Sequence, residues 1–364
     1  MKSVYSGYER METDGIAYFA GANTKDGFRG IYDEIADERR MERVYILKGG
    51  PGTGKSTLIR KVADAAAKDG VPVELYFCGS DPCSLDGAVL GGWIAVLDGT
   101  APHVREMAYP GAVSALVDLS KFWDSGILEA ARTEILSRCT EKAACWTSAY
   151  RYLRAAGTVE EERAALAEQV FHREKAAAYL ARLRKIIGKP LPEEHGHTEV
   201  RRTRAVTMRG MCYTPTFEKL ADRVYAVSDV LGCAVPFLEL LAGTLASAGY
   251  DTVISRLPVT GSADGILLPA HRIAFVTAEP AGDFGCIRMA RFVKDEIPDG
   301  LRGQMRLAAK VAESCMEEAQ NALARAAEHH FALEEIYKQA MDFPALGRFT
   351  KKVAAEITER LKNK

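Results

Sequence analysis

The chain has 364 residues, of which 48% are hydrophobic and 27% charged. This composition is typical of a globular protein with a full core and excludes a disordered or fibrous chain. The 48 basic and 49 acidic residues leave a formal net charge of −1, which excludes a broad electrostatic attraction to nucleic acid or to an anionic membrane. The length suggests two domains or one large one.

The sequence lacks the signals that direct a chain into or across a membrane. The N-terminal stretch MKSVYSGYERMETDG is polar and has no apolar signal core, and no apolar run reaches the length of a transmembrane helix. The eight cysteines are scattered along a long chain, which favours reduced thiols over a disulfide framework. We therefore expect a cytoplasmic protein with no membrane partner.

The first part of the chain alternates strand and helix patterns. Residues 44–50 predict a buried strand that ends in glycines, and residues 55–69 predict a helix with a regular apolar face. Further strands are predicted at 73–77 and 93–97. This alternation predicts an α/β fold in which a parallel sheet is sandwiched by helices.

Between the first strand and the first helix lies a glycine-rich motif of the form G-x-x-x-x-G-K-[ST], the Walker A motif or P-loop. Its backbone N–H groups and the helix N-terminus together favour phosphate oxygens. Lys55 is predicted to reach the β- and γ-phosphates, Ser56 to bind Mg²⁺ and Thr57 to offer its N–H to the α-phosphate. The predicted nucleotide-binding residues are Gly49, Gly50, Pro51, Gly52, Thr53, Gly54, Lys55, Ser56 and Thr57.

Asp98 ends the apolar strand at 93–97 and is the candidate Walker B aspartate, a second ligand to Mg²⁺. An ordinary Asp-Gly turn is the alternative. The residue after Asp98 is glycine, so the glutamate that orients water in many hydrolases is missing there. Asp81, just past the second strand, is the first choice for that catalytic role, with Asp86 and His103 as further candidates, and a solvated loop residue is the favoured alternative for each.

The middle of the chain changes character. Residues 127–187 are rich in alanine, leucine, glutamate and arginine and predict two or three amphipathic helices, whereas residues 188–198 resemble a linker. Strand patterns return at 223–227 and 272–277, and a final helical stretch covers 301–341 until Pro344 interrupts it. The predicted segments are a P-loop module (1–125), a helical segment (126–190), a degenerate module (200–300) and a C-terminal helical segment (301–364).

An internal repeat relates the two parts. Glu42-Arg43-Val44-Tyr45 matches Asp222-Arg223-Val224-Tyr225, and Asp86-Gly87 matches Asp264-Gly265 further on. Because the matches keep one order across strand, loop and helix, they predict a tandem duplication of a P-loop fold, each copy with a helical appendage.

The second copy has lost the chemistry of the first. Gly49 maps to Asp229, Lys55 to Val235 and Ser56 to Pro236. Asp229 would repel phosphate, and Pro236 has no N–H. We therefore expect a second module that is catalytically dead and serves as a pseudo-symmetric scaffold, as a partner surface or as the source of an arginine finger. Arg256 and Arg272 are the candidates for that finger, although a solvated arginine is the favoured interpretation of each.

Other conspicuous residues predict little chemistry. Cys78 and Cys83 lack a partner pair with zinc spacing, and His195 and His197 lie in the linker. Residues 201–209 contain four arginines without interleaved aromatics, which we interpret as a solvated strand or loop; a nucleic-acid partner is not expected.

Several runs resemble a little-characterised family of bacterial tandem P-loop ATPases. These runs are Leu47 to Thr57, Ser84-Leu85-Asp86-Gly87, Asp98 to His103, and Tyr109-Pro110-Gly111-Ala112. The resemblance extends over nearly the whole chain and implies ATP binding and a P-loop NTPase fold in each half, with no known substrate. The second P-loop departs from the better-preserved motif of the family, which puts two-site models in doubt.

The sequence thus predicts an ATP-binding protein with Mg²⁺-dependent hydrolysis at one site. ATP is preferred over GTP because no Asn-Lys-x-Asp guanine signature follows the P-loop. A small-molecule or nucleotide kinase is one alternative. Another is a nucleotide-gated switch that binds a partner protein through its helical segments.

Overall fold

The computed structural model describes residues 9–101, 104–277 and 283–363. Most of them lie in two six-stranded sheets and the helices around them. The strands of the first sheet are β2 (Ile16–Phe19), β5 (Arg43–Lys48), β6 (Val73–Phe77), β7 (Leu85–Leu90), β8 (Ile94–Asp98) and β9 (Ser114–Asp118). Those of the second sheet are β10 (Thr198–Arg201), β13 (Arg223–Ser228), β14 (Thr252–Arg256), β15 (Ala263–Leu268), β16 (Ile273–Val276) and β17 (Gly285–Arg288).

The remaining elements are short strands and helices. The short strands are β1 (Glu9–Arg10), β3 (Gly21–Thr24), β4 (Gly27–Gly30), β11 (Arg204–Thr207) and β12 (Gly210–Tyr213). The helices are α1 (Tyr32–Ile35), α2 (Lys55–Lys68), α3 (Ser125–Ala130), α4 (Arg132–Val170), α5 (Arg173–Ile187), α6 (Thr216–Leu220), α7 (Ala234–Ser247), α8 (Leu301–Ala340) and α9 (Phe343–Lys362).

Both sheets are mixed, so the expectation of parallel sheets is wrong in detail. The first has the order β2-β6-β7-β8-β5-β9, and β7 runs antiparallel to β6 and β8. The second has the order β10-β14-β15-β16-β13-β17, and β15 runs antiparallel to β14 and β16. Only residues 91–93 join β7 to β8. A parallel connection needs about a dozen residues or more, so this pair must be antiparallel.

In the described part of the chain, the longer helices cover only the outer face of each sheet, which corrects the predicted sandwich. Along β5, Tyr45 and Leu47 face a core shared with α2 and α9. The alternate residues Val44 and Ile46 face a core that also contains Ala274 from the second sheet. Since side chains alternate along a strand, the inner faces of the two sheets share one core, to which α1 and α6 also contribute.

The helices that follow each sheet cross to the other half of the chain. We call the residues up to Ile187 the first half and those from Thr198 onward the second half. Leu180 and Leu183 of α5 pack in the same core as α7 and the second sheet. Conversely, Val353 and Ile357 of α9 pack in the same core as α2 and the first sheet. Each helical appendage therefore covers the sheet of the other half.

The long helices α4 and α8 pack along each other in opposite directions. Near the start of α4, Glu141 Oε2 lies 3.0 Å from Nδ1 of His329, late in α8. Ala156, later in α4, shares a core with Ala319, earlier in α8. This arrangement brings the end of α8 to the first sheet, where the Asp124 N–H donates to the Ala340 carbonyl at 2.8 Å.

Candidate functional site

The glycine-rich loop joins β5 to α2, as the sequence predicts. Gly52 and Gly54 have φ angles of 68° and 86°, in the left-handed region where side chains are strained. Gly49 has no room for a β-carbon either, since one would lie 2.6 Å from Oγ1 of Thr53. The loop thus needs glycine at these positions and passes directly into the N-terminus of a fourteen-residue helix, a favourable place for an anion.

Lys55 folds back over this loop. Its Nζ donates to the carbonyl oxygens of Gly50 at 2.7 Å and of Gly49 at 3.2 Å. The same ammonium lies 3.7 Å from Oδ2 of Asp98, and both side chains are mostly shielded from solvent. The lysine is therefore held at the loop, with an acidic group beside it.

Asp98 stands at the end of β8, next to β5 in the sheet. Its Oδ1 accepts the Thr100 N–H at 2.8 Å, and the Thr100 hydroxyl donates to the Gly49 carbonyl at 3.1 Å. Ser56 lies on the same side, where its Oγ accepts the Leu85 N–H at 2.9 Å. A hydroxyl and a carboxylate oxygen are ligands that suit Mg²⁺, so Ser56 and Asp98 fit the predicted metal site chemically.

Asp81 lines the cavity next to the glycine-rich loop, but its carboxylate already accepts two hydrogen bonds from the protein. Oδ1 accepts from Nε of Arg209 at 2.9 Å and from the Cys83 N–H at 3.1 Å. The Arg209 guanidinium also lies over the Phe331 ring, 5.2 Å from its centroid. These contacts favour a structural role for Asp81 over the predicted role of orienting water.

Asp86, the other candidate carboxylate, is more deeply buried than Asp81. It is 3% exposed, and its Oδ2 accepts the Tyr32 hydroxyl at 2.9 Å. It lines the same cavity as Ser56 and Asp98, the predicted metal ligands. Burial, followed by the charge of Asp86, raises the pKa of the neighbouring Cys78 thiol. The third candidate, His103, lies outside the described residues.

The end of α8, from the second half, forms one wall of the site. A β-carbon on Gly50 would lie 2.6 Å from the Tyr337 ring, and one on Gly52 would lie 3.0 Å from the Glu334 carbonyl oxygen. Glu334 pairs with His330 and Lys338, each at 3.5 Å, and a hydrogen bond from His330 is the main cause that lowers the pKa of Glu334. These residues were not predicted, because no local motif links α8 to a loop so distant in sequence.

The loop opens into a cavity of about 860 Å³. One wall comes from α4, where the rings of Trp146 and Tyr150 stack at 5.7 Å between centroids. The Tyr150 hydroxyl donates to Oδ1 of Asn23 at 3.0 Å, and burial raises its pKa to about 12. Phe28 and Met208 complete this apolar part of the lining.

The loop of the second half that the sequence repeat aligns with the glycine-rich loop contains a carboxylate side chain, Asp229. Asp229, at the position of Gly49, accepts the Ala234 N–H at 2.9 Å. Burial raises its pKa, while that N–H and then the charge of Arg163 act in the opposite direction. Gly232, which the sequence repeat aligns with Gly52, also has a left-handed conformation, with φ 75°. A carboxylate of the chain thus binds the N–H group at this helix start.

Neither arginine-finger candidate lies at the cavity, and the prediction for residues 201–209 is wrong. Arg256 pairs with Glu239 at 3.2 Å and Arg272 with Asp222 at 2.8 Å, and neither lines the cavity. The stretch 201–209 is not a solvated segment, since Arg204 is 4% exposed. Its Nη1 contacts Asp264 Oδ2 at 3.0 Å and Thr277 Oγ1 at 2.9 Å, which places this charge inside the second half.

Four wider observations complete the description. Within the described residues, no helix is both long and apolar enough to cross a bilayer, and no three His, Cys, Asp or Glu side chains gather into a metal-binding group. All eight cysteines are unpaired. Comparison of the chain with protein-family models, with curated proteins and with solved structures finds no match.

Proposed function

We propose that this protein binds ATP with Mg²⁺ at the loop from Gly49 to Thr57 and hydrolyses it. The observation that carries the proposal is the position of Lys55, whose ammonium lies on the loop carbonyls and 3.7 Å from Asp98. A lysine held over a glycine-rich turn at a helix N-terminus can exchange carbonyl oxygens for phosphate oxygens with little movement of its backbone.

The residues around the loop have separate roles in this proposal. Lys55 contacts the β- and γ-phosphates and offsets their charge, and the N–H of Thr57 binds the α-phosphate. Ser56 and Asp98 hold Mg²⁺, which neutralises phosphate charge when bound. The apposed end of α8 limits solvent access from the other side, since Glu334 and Tyr337 touch the loop.

We also propose that the two halves are a tandem duplication of a P-loop NTPase fold, as in the tandem ATPase family that the sequence resembles. Both sheets have corresponding strand orders, and one antiparallel strand occupies the same position in each. The second half would not bind nucleotide, because Asp229 takes up an N–H group that phosphate would need and repels a further anion.

A nucleotide titration tests the central proposal. Wild type and Lys55→Ala are titrated with MgATP by calorimetry, with Lys61→Ala, an exposed lysine of the same helix, as the matched control. We expect Lys55→Ala to lose about tenfold or more in affinity, as expected when a charge-assisted contact worth about 1.5–3 kcal/mol is removed. Equal affinities for wild type and Lys55→Ala would contradict nucleotide binding at this loop.

A phosphotransferase is a second candidate, and one observation favours it. The cavity extends beyond the loop to the aromatic rings of α4. Hydrolysis needs only water next to the γ-phosphate, whereas pockets with apolar and aromatic walls are typical of sites for organic molecules. ADP formation that depends on an added acceptor would separate this activity from hydrolysis.

A further inference from the structure

A series of contacts connects the aromatic part of the cavity to the side of the loop where the predicted metal ligands Ser56 and Asp98 lie. Ser56 binds the N–H of Leu85, which precedes Asp86 in β7. Asp86 and Cys78, at the ends of neighbouring strands, both line the cavity. Gly79 follows Cys78, and its carbonyl accepts from Nδ2 of Asn23 at 3.3 Å. Asn23 in turn accepts the Tyr150 hydroxyl, so the contacts lead from the metal side to the aromatic wall.

From this connection we infer which end of a bound nucleotide would face the aromatic wall. With the α-phosphate at Thr57 and the γ-phosphate at Lys55 and the metal, the triphosphate ends on the side of Ser56 and Asp98. Asp86 and the aromatic rings are connected to that same side. The nucleoside of the bound ATP would therefore lie at the opposite end, leaving this part of the cavity open beyond the γ-phosphate.

The walls of this region suit a flat ring. We define the acceptor compartment by Phe28, Lys142, Trp146, Tyr150 and Met208, all of which line the cavity. Residues four apart lie on one face of a helix, so α4 presents an ammonium, an indole and a phenol in a row. Rings stack on indole and phenol faces, and methionine adapts to an apolar neighbour.

Lys142 occupies the end of this row that is closer to the loop. It follows Glu141, which contacts His329 near the end of α8, where Glu334 reaches the loop. Tyr150, at the other end of the row, binds the β3–β4 hairpin through Asn23. In the part of the chain that the structure describes, Lys142 makes no ion pair. Lys142 thus lines the cavity one helical turn before Trp146, toward the loop end of the row.

We propose that the acceptor compartment binds a nucleoside as a second substrate, which deepens and rests on the proposed nucleotide binding. The base stacks on Trp146, and a sugar hydroxyl oxygen attacks the γ-phosphorus of ATP. The new bond joins that oxygen to the γ-phosphorus, and the bond to the β–γ bridging oxygen breaks. The electron pair stays on ADP, and the hydroxyl proton passes to the carboxylate of Asp86. Lys142 stabilises the charge on the transferred phosphoryl group.

The test measures phosphoryl transfer and nucleotide affinity side by side. The full chain is incubated with γ-labelled MgATP and, separately, adenosine, guanosine, cytidine, uridine or thymidine, and labelled products are separated and counted. We expect at least one nucleoside to be phosphorylated. For that nucleoside, Trp146→Ala should raise KM about tenfold or more, Trp146→Phe should recover most of the loss, and KM for ATP should stay within twofold.

The matched control is Tyr152→Ala, an aromatic residue of the same helix that is 38% exposed and does not line the cavity. It should leave both KM values unchanged. If MgATP binds but no nucleoside is phosphorylated, the acceptor proposal fails and the proposed function survives. If Trp146→Ala instead weakens ATP, the compartment holds the base of ATP, which also overturns the acceptor proposal. If wild type does not bind MgATP, the proposed function itself fails.

Discussion

Gly52 of the glycine-rich loop lies against the main chain of Glu334 in α8. A β-carbon on Gly52 would lie 3.0 Å from the Glu334 carbonyl oxygen and 3.3 Å from its Cα. The other half of the molecule thus limits which residue the loop can carry.

We expect Gly52→Ala to weaken ATP binding by about tenfold or more, because an alanine held in the left-handed conformation costs about 1–2 kcal/mol and the loop must also move away from α8. Calorimetric titration with MgATP measures this change. The control is Gly243→Ala in α7, where a β-carbon meets nothing within 4 Å. Unchanged ATP affinity in Gly52→Ala would show that α8 does not restrict the loop.

Asp98→Asn is expected to lower ATP hydrolysis about a hundredfold and to raise the Mg²⁺ concentration needed for half-maximal rate, because a neutral amide is a poorer ligand for a divalent cation. Asp81→Asn should change either quantity no more than about threefold, since the Asp81 carboxylate is bound to Arg209. Steady-state rates at several Mg²⁺ concentrations measure both. A larger loss in Asp81→Asn than in Asp98→Asn would reverse these assignments.

Arg204→Met should destabilise the fold by about 3–5 kcal/mol, because it leaves the buried carboxylate of Asp264 without its charged partner. Urea unfolding measures the loss. Arg223→Met, an exposed arginine in the same half, should cost less than about 0.5 kcal/mol. A small effect of Arg204→Met would show that this pair contributes little to stability.

The same variant should show a defined pH dependence. Burial raises the pKa of Asp264 above its unfolded value, so the folded state holds this proton more tightly. Stability from this group is therefore present at low pH and is lost as the pH rises through the native pKa. Without the charge of Arg204, the pKa of Asp264 in the folded state should rise further. The stability difference between Arg204→Met and wild type should then be smaller near pH 5 than near pH 8.

Ile357→Ala should destabilise the protein by about 2–5 kcal/mol, since Ile357 is fully buried against α2. The effect should be local to the first sheet, although Ile357 lies at the end of the chain. Hydrogen exchange of the peptide that contains β5 is expected to speed up more than that of β13. Ile186→Ala, on α5 and 61% exposed, is the control and should leave both unchanged. Faster exchange only in β13 would contradict the crossed packing.

The elements with a local signal were predicted closely from the sequence. The strand over 73–77 agrees with β6, and the helix over 55–69 agrees with α2 to within one residue. The glycine-rich loop and Asp98 were located because their residue types recur at fixed positions after strands. The buried strand β7 was missed, because uniform burial removes the alternation that marks a strand exposed on one face.

The rest of the site depends on contacts between residues far apart in sequence. Nothing in the pattern of α8 shows that Tyr337 packs on Gly50, since the helix must first cross from one core to the other. The position of Trp146 next to the cavity depends in the same way on the pairing of α4 with α8. Periodicity predicts that such helices exist but not which sheet they cover.

Because α5 and α9 each pack on the sheet of the other half, this single chain resembles a domain-swapped dimer whose two subunits are joined into one polypeptide. Each half carries the helix that closes the hydrophobic surface of the other, so neither half encloses its own core. A backbone cut in the connection at 188–197 would leave two fragments that are still interlocked by their exchanged arms. One half expressed alone would instead expose the outer face of its sheet, because the helix that covers it belongs to the other half. The two halves therefore need each other to fold.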